Sequence, residues 1–261
     1  MDALTLGSAV VALASASVAA VLGYWQQRRL RAMEQRNLMD AYGASLAWAA
    51  FDLQSRLFNI LDGHVIDQLP RLPEHGKGFL TAFLTEGTAD ERAYARRSTV
   101  FVLAEYLGWV EILRRDVQFL DIGRSRTNRE VMVKISEIGS ALNRTSKDGN
   151  ELRLFRAQQR AIGELMVHPE GEPGRRRCLG YTEFSAKLDT DDGFSRWFEP
   201  LLADIDRLAS DADSAGPALA RLEVVQRRLI DLIDLLDPKA ERFPQFRYAF
   251  DRERQMRFPR G

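Results

Sequence analysis

The sequence predicts an all-α protein: an N-terminal single transmembrane helix followed by a cytoplasmic multi-helix bundle. Three observations predict it. No charged side chain lies between Asp2 and Arg28. Further on, apolar residues recur at i, i+3, i+4 and i+7, the period of a helix buried on one face. Sustained apolar–polar alternation, and hairpin turns between apolar runs, are both missing.

Composition excludes several classes. The chain has 261 residues, of which 45% are hydrophobic and 28% charged. That is globular rather than disordered or fibrous. Its single Cys rules out an intramolecular disulfide framework and any zinc site built on several thiolates. Three His residues leave little material for a metal centre. The net charge of zero hides an asymmetry: residues 38–238 carry −6, whereas residues 26–37 carry +3 and 239–261 carry +4. An acidic body disfavours nucleic acid, which needs a basic face.

The first element is read as an anchor, residues 1–27. A run of about 20 apolar residues crosses a bilayer core as a helix. Tyr24 and Trp25 close the run at the depth of an aromatic belt, and Arg28, Arg29, Arg31 and Arg36 follow against one acid, Glu34. The positive-inside rule then sets the N-terminus outside and the remainder in the cytoplasm. A cleaved signal peptide fits less well, because its positive charges precede the apolar run. Ser8, Ala12, Ala16 and Ala20 form a stripe of small residues, the pattern through which transmembrane helices approach each other in a homo-oligomer. An alanine-rich helix also produces such stripes by chance.

Residues 28–45 read as a basic juxtamembrane helix, attracted to anionic lipid, with a weak point around Asp40–Gly43. The bundle is assigned to residues 46–238. Its first helix carries Leu46, Ala49, Ala50, Leu53, Leu57 and Ile60 on one face, with Asp52 and Arg56 one turn apart and able to pair. Residues 62–78, with three Gly and two Pro, read as a loop before a short apolar piece, Phe79–Leu84. Thr88-Ala-Asp-Glu91 is a capping box that opens a long helix to about Leu120. The helix is apolar nearly all round, but Glu105 and Glu111 argue against a second span and for the centre of the bundle. Further helices are expected over 128–143, 152–167, 181–188, 194–208 and from about 222 to 236, the last stopped by Asp237-Pro238. Residues 239–261 form a tail that interleaves arginines with Phe243, Phe246, Tyr248, Phe250 and Phe258. It suits either an anionic membrane surface or a strap packed on the bundle.

Motifs that carry chemistry are mostly missing from the sequence. His75-Gly-Lys-Gly78 lacks the spacing of a phosphate loop, and no hydrolase, zincin or kinase motif occurs. Cys178 follows three arginines, which would activate a thiol; an ordinary buried Cys is the plainer reading. His168 with Glu170, and His64 with Asp67, offer two ligands each, too few for a metal. Glu105 and Glu111 are expected to be ion-paired with arginines rather than to act as acid–base groups. No catalytic, cofactor-binding or metal residue is therefore assigned. The expected function is a membrane-anchored interaction module: a scaffold, sensor or accessory subunit meeting the bilayer and a protein partner. The alternatives are a membrane-associated enzyme using the acids of the central helix, and a subunit of a multimeric assembly or pore.

Overall fold

A computed structural model describes residues 3–61, 79–116, 126–145, 152–210 and 216–243. Among them every regular element is a helix, and the only extended pairing is an isolated bridge between Val167 and Cys178. The helices are α1 (Ala3–Leu61), α2 (Phe79–Thr81) running into a π turn (Ala82–Glu86), α3 (Ala89–Asp116), α4 (Arg126–Asn143), α5 (Arg156–Met166), α6 (Tyr181–Thr190), α7 (Asp192–Ser195), α8 (Glu199–Ser210) and α9 (Gly216–Leu236). The chain divides into two compact units, Met1–Ala41 and Tyr42–Gly261. Helix α1 contributes to both, without a break at Asp40–Gly43.

In the second unit α3 is central. It packs against α5, α6, α8 and the α2–π segment, while α4 pairs with α9 and touches α5. Its start is the predicted capping box: the Glu91 carboxylate accepts the Thr88 N–H at 2.7 Å, and Thr88 Oγ1 accepts the Glu91 N–H at 3.3 Å. Tyr106 and Ile112 are fully buried along its length. Trp109, on the same helix, is only half-buried.

Two glycines set the closeness of α3 and α5. A Cβ on Gly163 would stand 2.7 Å from the Leu107 carbonyl oxygen, and one on Gly108 would stand 2.8 Å from Met166 Cβ. Nothing larger than hydrogen fits at either point. After α5 the chain returns along α3: Leu179 N–H donates to Met166 O at 2.8 Å, and His168 N–H donates to Arg177 O at 2.9 Å.

That return ends in a buried polar cluster. Asp116, whose side chain is 2% exposed, accepts from Tyr42 Oη at 2.6 Å, Gly174 N–H at 2.8 Å and Arg176 Nε at 2.8 Å. Arg176 N–H in turn donates to Tyr42 Oη at 3.2 Å. Burial opposes ionisation of Asp116, but these donors outweigh it and hold the carboxyl below its ordinary range. The same burial, and the bond to Asp116, push Tyr42 up to about 12. One carboxylate thereby ties α1, α3 and the 168–180 loop together. An aromatic group completes the opposite flank, with Phe184 5.1 Å from Phe198 and Phe101 5.3 Å from Tyr181.

Three expectations about the bundle need correction. The helix expected from Leu152 begins at Arg156. Leu152 has φ of 52° and its N–H donates to Asp204 Oδ2 at 2.7 Å, so long-range bonding overrides the local helical pattern. The helix expected over 194–208 is broken into α7 and α8, because Asp191 caps α7 and starts a short turn of its own. Asp52 and Arg56 do not pair. Arg56 lies over the Phe79 ring, 4.1 Å from its centroid, and turns away from the acid.

The close α3–α5 crossing predicts the effect of a single methyl group. Gly163→Ala should lower unfolding stability by about 1–3 kcal/mol, the range of core overpacking. Urea or thermal unfolding of the full chain measures it. A variant melting together with the wild type would show that the helices do not meet this closely.

Candidate functional site

Two regions carry features that packing alone does not account for. The first lies in α1 within the Met1–Ala41 unit. Every residue from Ser15 to Arg29 is exposed, on all sides of the helix. Val18, Val21, Leu22, Tyr24 and Trp25 each present more than half of their surface. Arg28 lies over the Trp25 ring, 5.8 Å from its centroid. Ala16 and Ala20 are exposed as well. Ser8, Ala12 and Arg31 lie outside the residues whose side chains are described.

Among the described residues no helix is long and apolar enough to cross a membrane. The described side chains of the expected anchor begin only at Ser15. From there to Arg28 is shorter than the crossing length of about 20 residues.

The second region is the pair of acids on α3, of which Glu111 packs beside Gly163 of α5 and Glu105 lies near Asp52 of α1. Glu111 and Glu105 lie six residues apart on α3 but have opposite surroundings. Glu111 is 3% exposed and receives Arg114 Nε at 2.7 Å, Arg114 Nη2 at 2.7 Å and Arg115 Nε at 2.6 Å. Burial disfavours its charge, yet the two guanidinium groups win and lower its proton affinity. This is the structural ion pair that the sequence suggests.

Glu105 has no such partner. No cation pairs with it among the described residues, and its neighbours are Asp52 and the Trp109 indole. Burial first, and the Asp52 charge second, push its carboxyl up to about 7; the Trp109 hydrogen bond works against them. Asp52 keeps an exposed surface, but the mass of helix around it raises its carboxyl too. The sequence treats both α3 acids alike because arginines are plentiful throughout. Only folding shows that Asp52, rather than an arginine, is brought beside Glu105. An acid on the outer face of an amphipathic helix carries no sign of a distant partner.

The remaining candidates resolve into structural roles. Cys178 is buried, its Sγ 3.8 Å from the Glu105 carbonyl oxygen, and burial pushes the thiol up, opposite to activation by the neighbouring arginines. His168 is buried: its Nδ1 accepts the Glu170 N–H at 3.0 Å and its Nε2 faces Glu183 Oε1 at 3.1 Å. Among the described residues no group of three His, Cys, Asp or Glu side chains is placed to hold a metal. His64, Asp67 and the His75–Gly78 turn lie outside the described residues.

Glu105 makes the fold pH-sensitive with a defined sign. Its folded pKa lies above the unfolded value, so its charge opposes folding above about pH 7 and the penalty disappears below the ordinary glutamate range. In a chain ending after Phe243, Glu105→Gln should therefore raise stability at pH 8 by about 1–3 kcal/mol and change little near pH 4. Unfolding at the two pH values measures this. A Gln variant less stable at pH 8 than the same chain with Glu105 would mean that a cation of the bundle holds Glu105.

Compared with protein-family models, with curated proteins and with solved structures, the chain has no match in any of the three.

Proposed function

We propose that the chain is a single-pass membrane-anchored interaction module, with its N-terminus outside and its helical bundle on the cytoplasmic side. The observation that carries this reading is the helix around Val18–Trp25, apolar and exposed on every face. In water such a surface is large and costly, and it marks a lipid or partner contact. A bilayer is the better occupant, because the exposure runs all round the helix and not along one stripe. Arg28 and Arg29 follow at one end only, as the positive-inside rule asks of a cytoplasmic flank. Tyr24 and Trp25 sit where an aromatic belt anchors a span. The basic stretch that continues to Arg36 supplies an attraction for anionic lipid.

The bundle supplies the working surface. Its described acids and arginines are largely committed to ion pairs and caps, as at Glu111, Asp116 and Asp189. That pattern suits a scaffold, sensor or accessory subunit. One observation favours the rival reading, a membrane-associated enzyme: a carboxyl near neutrality, as at Glu105, is what a general acid or base requires.

Topology tests the proposal directly. The protein should pellet with membranes and resist carbonate extraction, and a reporter active only in the cytoplasm should be active when fused after Gly261. A soluble mature species beginning near Val21 would sink the anchor. Self-association is a separate matter. If the stripe of Ser8, Ala12, Ala16 and Ala20 is an interface, Ala16→Leu should shift the detergent-solubilised protein to a smaller assembly, because a bulky side chain separates the backbones. Identical masses by light scattering would reduce the stripe to composition.

A further inference from the structure

The last turn before the tail is fixed in place. Asp237 accepts N–H bonds from Glu241 at 3.0 Å, Arg242 at 3.1 Å and Phe243 at 3.3 Å. This sets the Phe243 ring on α1, 4.3 Å from Phe51 in a parallel stack and 4.8 Å from Trp48 edge-on. Phe243 is buried by this contact, while Trp48 remains 51% exposed. One helical turn further along the same side of α1 stands Asp52, with Glu105 beside it from α3. Around Phe243, then, lies a surface with an exposed indole ring and two acids that no cation meets among the described residues.

We propose that residues 244–261 of this chain dock across the exposed side of α1, seating an arginine against Asp52 and Glu105 and aromatic rings against Trp48. The segment starts at the edge of that surface, because Phe243 already rests on it. Its composition is complementary: Arg247, Arg252, Arg254, Arg257 and Arg260 against two acids, interleaved with Phe246, Tyr248 and Phe250. Reach is sufficient. Arg247 follows Phe243 by four residues, about 13 Å of extended chain before its own side chain is counted. A guanidinium binds two carboxylates through its planar fork, and the attraction is strong where water is partly excluded. Docking would also remove the mutual repulsion of Asp52 and Glu105. The surface belongs to the second unit alone, so this inference stands whether or not the N-terminal helix is an anchor.

Hydrogen exchange on the full-length protein, in micelles with uncharged headgroups, tests the proposal. Amides of 244–261 should exchange at least tenfold more slowly than an unstructured chain. In the Asp52→Asn/Glu105→Gln double variant that protection should be lost, while α3 and α5 keep theirs. Arg247→Glu, which leaves the bundle untouched, should weaken protection in the same region. Exchange at the unstructured rate in the wild type would overturn the proposal, as would protection indifferent to all three substitutions. Protection that arises only on adding phosphatidylserine vesicles, and survives the loss of the two acids, would assign the tail to lipid and overturn it equally.

Discussion

The close crossing of α3 and α5 is the constraint on which the rest of the bundle depends. Two helices meet this tightly only where hydrogen replaces a side chain, and Gly108 and Gly163 provide that on opposite partners. The consequence reaches beyond the contact. With α5 pressed on α3, the chain leaving α5 has to return along α3, pairing Val167 with Cys178. It thereby delivers Gly174 and Arg176 to Asp116. A steric allowance at two positions thus determines where a buried carboxylate finds its donors. Tyr42, donating to the same carboxylate, fixes the start of the second unit.

The buried carboxylates Asp116, Glu111 and Asp237 follow one electrostatic rule, and Glu105 departs from it. Removing a charge from water is costly unless donors replace the hydration. Asp116 has three donors and Glu111 has two arginines; both ionise more readily than an ordinary carboxyl despite burial. Asp237 is served by three backbone N–H groups in the turn after α9. Glu105 receives one indole N–H and a second acid instead, and its carboxyl rises accordingly. The contrast between Glu105 and Glu111 is therefore one of supplied donors rather than burial alone. It marks the α1–α3 side, around Glu105 and Asp52, as a place where described carboxyls lack a cation.

That side also bears the exposed Trp48 and the seat of Phe243. The first unit differs in kind: its described surface is apolar on all faces and ends in arginines. A reading as an anchored module uses both features, one to hold a membrane and the other to meet a basic, aromatic segment. The rest of the bundle is occupied by its own packing, with aromatic rings filling the space among α3, α6 and α7.

Much of this was legible in the sequence because it is local. The period of Leu46, Ala49, Ala50, Leu53 and Leu57 places a buried face on α1 without knowledge of what covers it. Thr88 and Glu91 lie three residues apart, so their reciprocal cap is written in the chain. Glu111, Arg114 and Arg115 share one helix turn, which makes their pairing readable too. Tertiary structure decided what depends on residues distant in sequence. Leu152 is drawn out of a helix by Asp204, 52 positions away; Asp116 gathers donors from Tyr42 and Arg176. Arg56 chose the Phe79 ring over the acid one turn before it, and Asp52 was left to face Glu105. Periodicity and capping are properties of neighbours along the chain. The environment of a carboxyl is a property of whichever helices happen to meet there, and only the folded arrangement supplies it.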